Sequence, residues 1–254
     1  MAPDLVNVDG DGAVRTLTLN SPHNRNALSS QLIDELADGF RNATSDGAVR
    51  VILLTATGTV FCSGADLSER AAFRSSRMEK LLNLITAADV PVIARVNGHA
   101  RAGGLGLLAA SDLAVAVAAS TFAFTEVRVG VAPALILVPS LMVAGRRFLA
   151  RTTLTGVPFS AAEAVEAGLL TAVVEDETAL TAWVDDAVDS ILKSAPGAVA
   201  ATKALLRTLP EATFTAGLAA AAARSAELFA GAEAAEGMDA FFAKRRPSWD
   251  ASAE

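Results

Sequence analysis

Apolar residues recur along this chain with two different periods, and the periods alternate. Residues 13–19 (AVRTLTL) alternate apolar and polar, the mark of a half-buried strand. Residues 20–25 (NSPHNR) form a turn cluster. Ser29 is placed to cap a helix running to about Asn42, in which Leu32, Ile33, Leu36 and Phe40 share one face. Residues 49–55 (VRVILLT) read as a buried strand and 57–67 (TGTVFCSGADL) as a loop. A second helix is expected from Leu67 to about Ala88, with Arg70, Arg74, Arg77 and Lys80 along one flank. Strand 92–96 (VIARV) leads through Ala100, Ala102, Gly103 and Gly104 into a short apolar helix over 105–110. Short strands follow at 113–117 and 121–124, a helix at 139–150, a capping box from Ser160 to Glu163, and a last strand at 171–174. Beyond Asp176 the pattern is helical throughout, at about 178–194, 196–209, 214–230 and 232–245. Strand–helix units followed by a helical tail predict an α/β architecture with helices packed outside and a C-terminal helical layer. The boundary falls between about 143 and 175, which divides the chain into a core over 1–175 and a helical region over 176–254.

Composition narrows the class. The 254 residues fit one large domain or a domain with an appendage, and 52% hydrophobic content supplies a sizeable core. A formal net charge of −7 argues against nucleic acid or an anionic membrane surface as the main partner. The longest uncharged stretch, 129–145, is short for a span and contains Pro133 and Pro139, so it reads as buried chain rather than a membrane insertion. Cys62 is the single cysteine, which rules out an intrachain disulfide and points to a reducing compartment. The acidic opening MAPDLVNVDGDG lacks the apolar run of a signal peptide, so a cytoplasmic location is expected. His23, His99 and Cys62 show no metal-ligand spacing, and no metal is expected.

The stretch 92–112 carries the chemistry. A helix that opens on glycines has unpaired N–H groups at its start, and its dipole adds partial positive charge there. Glycine also lets a ligand approach the backbone closely. Together these features suit a negative oxygen. Glu126 sits in FTEVRVG, an otherwise apolar stretch entering a turn, where burial raises a carboxyl pKa toward neutrality and suits it to proton transfer. Its bland alternative is an ion pair with Arg128 or Arg101. Asp66 is placed to cap the helix that follows it. Gly104 to Ala109 also fits G-x-G-x-x-A with Glu126 downstream, as in dinucleotide-binding folds, but there the glycines follow the strand directly and here GHARA intervenes. No G-x-S-x-G is present to place a serine nucleophile beside a histidine.

Five segments stand in order: NSPHNRNAL, FCSGADL, VNGHARAGGLGL, FAFTEVRVGVAP and EGMDAFFAKRRPSW. With them, nearly the whole chain resembles the enoyl-CoA hydratase/isomerase (crotonase) superfamily. The resemblance implies a spiral of stacked ββα units and a C-terminal helical region used in trimer formation, the two parts acting as one functional domain. It implies an acyl-CoA thioester as substrate, no separate cofactor, and a homotrimer or a hexamer built from two trimers. The alanine-rich tail, more apolar than one helical layer needs, fits such an assembly. Carried over by position, Ala65 and Gly103 supply the backbone N–H groups that hold an enolate oxygen, and Glu126 is the family's second catalytic acid. The coenzyme A contacts fall at Arg25, Ala27, Leu28, Gly64, Asp66 and Leu67, with Lys244 reaching a phosphate. The walls of the acyl pocket fall at Leu105, Phe122 and residues 71–85. Gly106 is the departure: two-carboxylate hydratases place their other glutamate there, one turn beyond the oxyanion glycine. The leading expectation is a lyase adding water to an enoyl-CoA, with water or substrate in the space left at Gly106. The alternatives are an isomerase working with one glutamate, and a non-catalytic acyl-CoA-binding homologue.

Overall fold

The computed structural model describes residues 4–10, 12–69, 75–209 and 213–250. Strands β1 (Val6–Asp9) and β2 (Val14–Leu19) form an antiparallel pair, and α1 (Ser30–Ser45) follows. Next come β3 (Val51–Ala56), β4 (Val60–Cys62) and α2 (Ser75–Ala87), then β5 (Val92–Val96), β6 (His99–Arg101) and α3 (Gly103–Ala110). The third round begins with β7 (Leu113–Val117) and β8 (Thr121–Ala123), and continues through a 3₁₀ turn at Glu126–Val129 into α4 (Ala134–Val143) and α5 (Arg146–Thr155). After β9 (Phe159–Ser160), α6 (Ala161–Glu166) and β10 (Ala172–Val174), the chain finishes in α7 (Glu177–Leu192), α8 (Pro196–Thr208), α9 (Phe214–Phe229) and α10 (Ala232–Phe242).

Each round gives its first strand to one sheet and its second strand to another. The larger sheet has the order β1-β2-β3-β5-β7-β10, parallel from β2 onward, and the smaller has β4-β6-β8-β9, parallel across its first three strands. The result is the spiral of stacked ββα units that the motif order implied. Strands buried on both faces explain the near-continuous apolar runs of β3, β5 and β7. Ile52, Leu54, Val92 and Ala94 join the main core under α1, α2 and α3, while Val51, Ile93 and Val115 point the other way. That second face is covered by α7, whose Leu180, Val184, Val188 and Leu192 recur every fourth residue and line one side of it.

Several boundaries differ from the sequence pattern. The stretch read as a loop over 57–67 contains β4, and β6 lies in the GHARA segment that was given no element. Both are three-residue strands, too short for periodicity to register. The helix expected from Leu67 is a 3₁₀ turn over Leu67–Glu69 and then α2; Arg70 and Arg74 lie outside the described residues. Arg77 bonds Asp34 of α1 at 3.0 Å. The single helix expected over 139–150 is two: Pro139 lies inside α4 rather than starting a helix, and the chain turns at Ala144 and Gly145. Ser29 does cap α1, its hydroxyl accepting the Leu32 N–H at 3.1 Å, and Ser160 with Glu163 forms the expected capping box.

The C-terminal helices are tied to the spiral by buried cations. Lys203 of α8 reaches the end of α2 and the start of β5, with Nζ 2.7 Å from Asp112 Oδ2 and donating to the Ile85 and Val90 carbonyls. Arg50 donates to the Ser194 and Trp249 carbonyls, which fastens the end of the chain to β3. Glu233 of α10 accepts the Gly197 and Ala198 N–H groups at the head of α8. No helix among the described residues is long and apolar enough to cross a membrane.

Candidate active site at the ends of three parallel strands

The register of the small sheet lines up Cys62 of β4, Ala100 of β6 and Phe122 of β8 across neighbouring strands. Ala65 and Gly103 each stand three residues past that row, and Glu126 stands four past it. Adjacent strands lie about 4.8 Å apart. Three residues distant in sequence therefore emerge side by side beyond the carboxyl ends of three parallel strands, where ligands of such sheets commonly bind. The N–H of Ala102 donates to the Ala123 carbonyl and so extends the β6–β8 pairing to the lip of this site.

The backbone leaves two donors free here. Leu28 and Ala65 form an isolated parallel bridge, in which the Leu28 N–H bonds the Gly64 carbonyl at 2.7 Å and the Asp66 N–H bonds the Leu28 carbonyl at 3.2 Å. In such a bridge the flanking residues carry the bonds, and the N–H of Ala65 points to the other side. The Gly103 N–H is the first of α3 and has no carbonyl four residues behind it within the helix. Among the described residues neither N–H meets a protein acceptor, and both residues are half-buried. The two turns are in contact: a β-carbon on Gly64 (φ +94°) would stand 2.7 Å from Ala102 Cβ and 3.7 Å from the Gly103 nitrogen. Only glycine fits there, on conformation and on space. Ala102 carries φ +47° and ψ −120°, a strained backbone for a residue with a side chain. Beneath them Cys62 packs against Gly104 and accepts the Gly64 N–H at 3.5 Å; burial pushes its thiol pKa to about 12, so it is an inert packing group.

Glu126 opens the 3₁₀ turn after β8 and is half-buried. Its Oε2 is enclosed and has no hydrogen-bond partner. Burial raises its pKa above the usual carboxylate range, opposed only in part by a hydrogen bond from its own backbone N–H. The ion pair weighed for it is absent. Arg128 donates to the Gly156 carbonyl, and Arg101 is spent on Ala100 and Thr121.

Gly106 does not open onto free space. A β-carbon there would lie 2.6 Å from Ile136 Cγ2 and 3.4 Å from Met78 Cε, so hydrocarbon fills the volume expected to hold water or substrate. Leu105 and Phe122, expected as pocket walls, are fully buried core residues. Of the expected wall segment, 71–74 lies outside the described residues.

The segments expected to touch coenzyme A run alongside one another. The Ser63 N–H donates to the Arg25 carbonyl, and Asn24 links to Asp66. Arg25 is exposed in left-handed backbone (φ +60°), Ala27 and Leu28 are buried, and Leu67 is exposed. Asp66 accepts from the N–H and hydroxyl of Ser68, which holds its pKa below the usual range and gives it the capping role. Asn26, passed over in the sequence, is fully buried and binds the Ser21 N–H and the Thr57 and Val60 carbonyls, holding this loop against β4. A buried asparagine in a turn cluster is its only sequence signal. Lys244 is exposed just past α10, and no hydrogen bond or ion pair joins it to the other candidates. A cleft of about 640 Å³ between α2, α4 and α8 lies at the far end of α3 from Gly103 and includes none of these residues. Among the described residues no cluster of His, Cys, Asp and Glu is placed to hold a metal ion.

The family model described as enoyl-CoA hydratase/isomerase matches residues 9–252. The mitochondrial enoyl-CoA hydratase domain-containing protein 3 of Danio rerio is 34% identical over 94% of this chain and 85% of its own. A crystal structure of an enoyl-CoA hydratase/isomerase from Marinobacter aquaeolei superposes with a TM-score of 0.92 at 30% identity, covering 98% of this chain and 100% of that one. A putative enoyl-CoA hydratase from Mycobacterium avium paratuberculosis K-10 is 46% identical with a TM-score of 0.74, over 96% and 99% of the two chains.

Proposed function

The chain belongs to the enoyl-CoA hydratase/isomerase family, and from that premise we propose that it converts an enoyl-CoA through a thioester enolate. The enolate oxygen rests on the N–H groups of Ala65 and Gly103, and Glu126 moves the proton. The observation that carries this reading is the level row past β4, β6 and β8: two backbone donors without acceptors and one enclosed carboxylate without a partner. Preorganised donors of this kind are worth about 3 kcal/mol each at a developing oxyanion. A carboxylate with a raised pKa exchanges protons near neutral pH.

With one carboxylate the favoured reaction is migration of the double bond. Glu126 takes a proton from carbon 2 of a 3-enoyl thioester; the carbon 3–carbon 4 π pair moves to carbons 2 and 3; the proton returns at carbon 4. No water is consumed. Hydration is the second reading, supported by the hydratase names of the relatives. The coenzyme A moiety runs along Arg25, Ala27, Leu28, Gly64, Asp66 and Leu67, with Lys244 at a phosphate, and no separate cofactor takes part. A reducing, cytoplasmic setting belongs to the same proposal, while the zebrafish relative is named as mitochondrial.

The test is incubation with a panel of 2- and 3-enoyl-CoA thioesters. Conjugation is followed by absorbance and water addition by mass. Gain of conjugation without mass change supports the favoured reading, and mass gain supports the second. No conversion of any enoyl-CoA across chain lengths overturns both.

A further inference from the structure

We propose that Ile136 and Met78 determine the outcome of the reaction by filling with hydrocarbon the space one helical turn beyond Gly103. This rests on the acyl-CoA reading above and deepens it. Gly103 and Gly106 lie three residues apart in α3 and so share a face of the helix. Met78, from α2, places its Cε 3.9 Å from where a β-carbon on Gly103 would stand and 3.4 Å from the same position on Gly106. Ile136, from α4, presses its Cγ2 to 2.6 Å from that position on Gly106. Both side chains are almost fully buried. An acyl group whose oxygen sits at the Gly103 N–H has this wall of methyl groups beside it. An ordered water needs two to four polar partners, and neither side chain offers one. Water is therefore excluded on this side, and a proton shuttled by Glu126 is left as the productive event. Glycine at 106 is thus one half of a fitted pair: its missing side chain is what admits Ile136 to the backbone of α3.

The experiment compares the wild-type protein with Gly106→Glu, Ile136→Ala, Met78→Leu, and Gly106→Glu combined with Ile136→Ala. Products from 2- and 3-enoyl-CoA are analysed by mass in ¹⁸O-labelled water. Wild type is expected to shift the double bond without taking up label. Gly106→Glu alone gains no hydration, because its side chain meets Ile136. The double variant takes up label at least about tenfold faster than wild type, since a methyl-scale change in an apolar site is worth that much or more. The proposal is overturned if wild type adds water as fast as it shifts the bond, or if the double variant hydrates no faster than Gly106→Glu alone. A second measurement needs no turnover: the ratio of Kd values for 2-methyl-branched and straight saturated acyl-CoAs. Ile136→Ala and Met78→Leu should each shift that ratio toward the branched ligand by about tenfold; an unchanged ratio overturns the wall. Met78→Leu conserves volume and keeps a folded variant in the set. A protein that converts no enoyl-CoA would refute the proposed function, and the Kd ratio would still decide whether the wall lines the acyl site.

Discussion

Oε2 of Glu126 is enclosed without a hydrogen-bond partner, and an ionised carboxylate in that position is costly to the fold. Its raised pKa has two consequences of opposite sign. Activity that needs the carboxylate as base should fall on the acidic side with a midpoint above the ordinary glutamate value of about 4.3. Stability should instead fall as pH rises from that ordinary value through the raised one, because the unfolded chain releases the proton first, and level off beyond. Glu126→Gln should therefore lose about 10²–10⁴-fold in turnover, keep its affinity for CoA thioesters, and unfold at higher temperature than wild type at pH 8 but not at pH 4. Calorimetry with steady-state kinetics reads all three; near-normal turnover would remove Glu126 from the mechanism. Ala102 makes a similar concession. Its φ of +47° suits glycine, so Ala102→Gly should raise the unfolding free energy by about 1 kcal/mol in a urea titration. A loss of stability would show that its methyl contact with Gly64 outweighs the strain.

Among the elements, α3 and α8 depend on unlike forces. Helix α3 is eight residues long and apolar on every side. It holds its place because glycines let Cys62, Leu28 and Ile136 press directly on its backbone. Helix α8 offers little apolar surface to the spiral and is held through Lys203, whose ammonium joins Asp112 and two carbonyls. Burial lowers the Lys203 pKa, and Asp112 offsets part of that. Removing one member of a buried pair typically costs about 3–5 kcal/mol. Lys203→Ala should fall near the lower end, since Asp112 keeps the Val92 N–H at 2.7 Å and some exposure. Denaturant unfolding measures the loss, and a cost below about 1 kcal/mol would assign α8 to ordinary packing.

At the scale of the whole molecule, apolar surface is left uncovered. Val138, Leu141 and Met142 on α4, Phe214, Leu218 and Phe229 on α9, and Phe241 and Phe242 on α10 are all exposed. So many large apolar side chains on three helices exceed what an isolated soluble chain normally presents. A closed trimer, or two trimers stacked as a hexamer, is the expected state. Light scattering at micromolar concentration should give three or six times the chain mass, and a monomer mass would refute it.

The order of local elements was legible in the sequence because it follows from periods that a one-dimensional pattern can carry. The face of α1, the caps at Ser29 and Ser160, the apolar runs of β3, β5 and β7, and the helical tail each depend on residues within one or two turns of each other. Glu126 stood out for the same reason, as one charge in an apolar stretch. The glycines marked where backbone comes close to something, without saying to what. Only the tertiary structure decided that β4 and β6 are strands, since three residues gain their hydrogen bonds from neighbours far away in sequence. Only the register of the small sheet set Ala65, Gly103 and Glu126 in one row. The content of the space beside Gly106 was likewise undecided by its own segment. A missing side chain reads in sequence as a vacancy, whereas close packing gave that volume to Ile136, thirty residues on, and to Met78 on another helix.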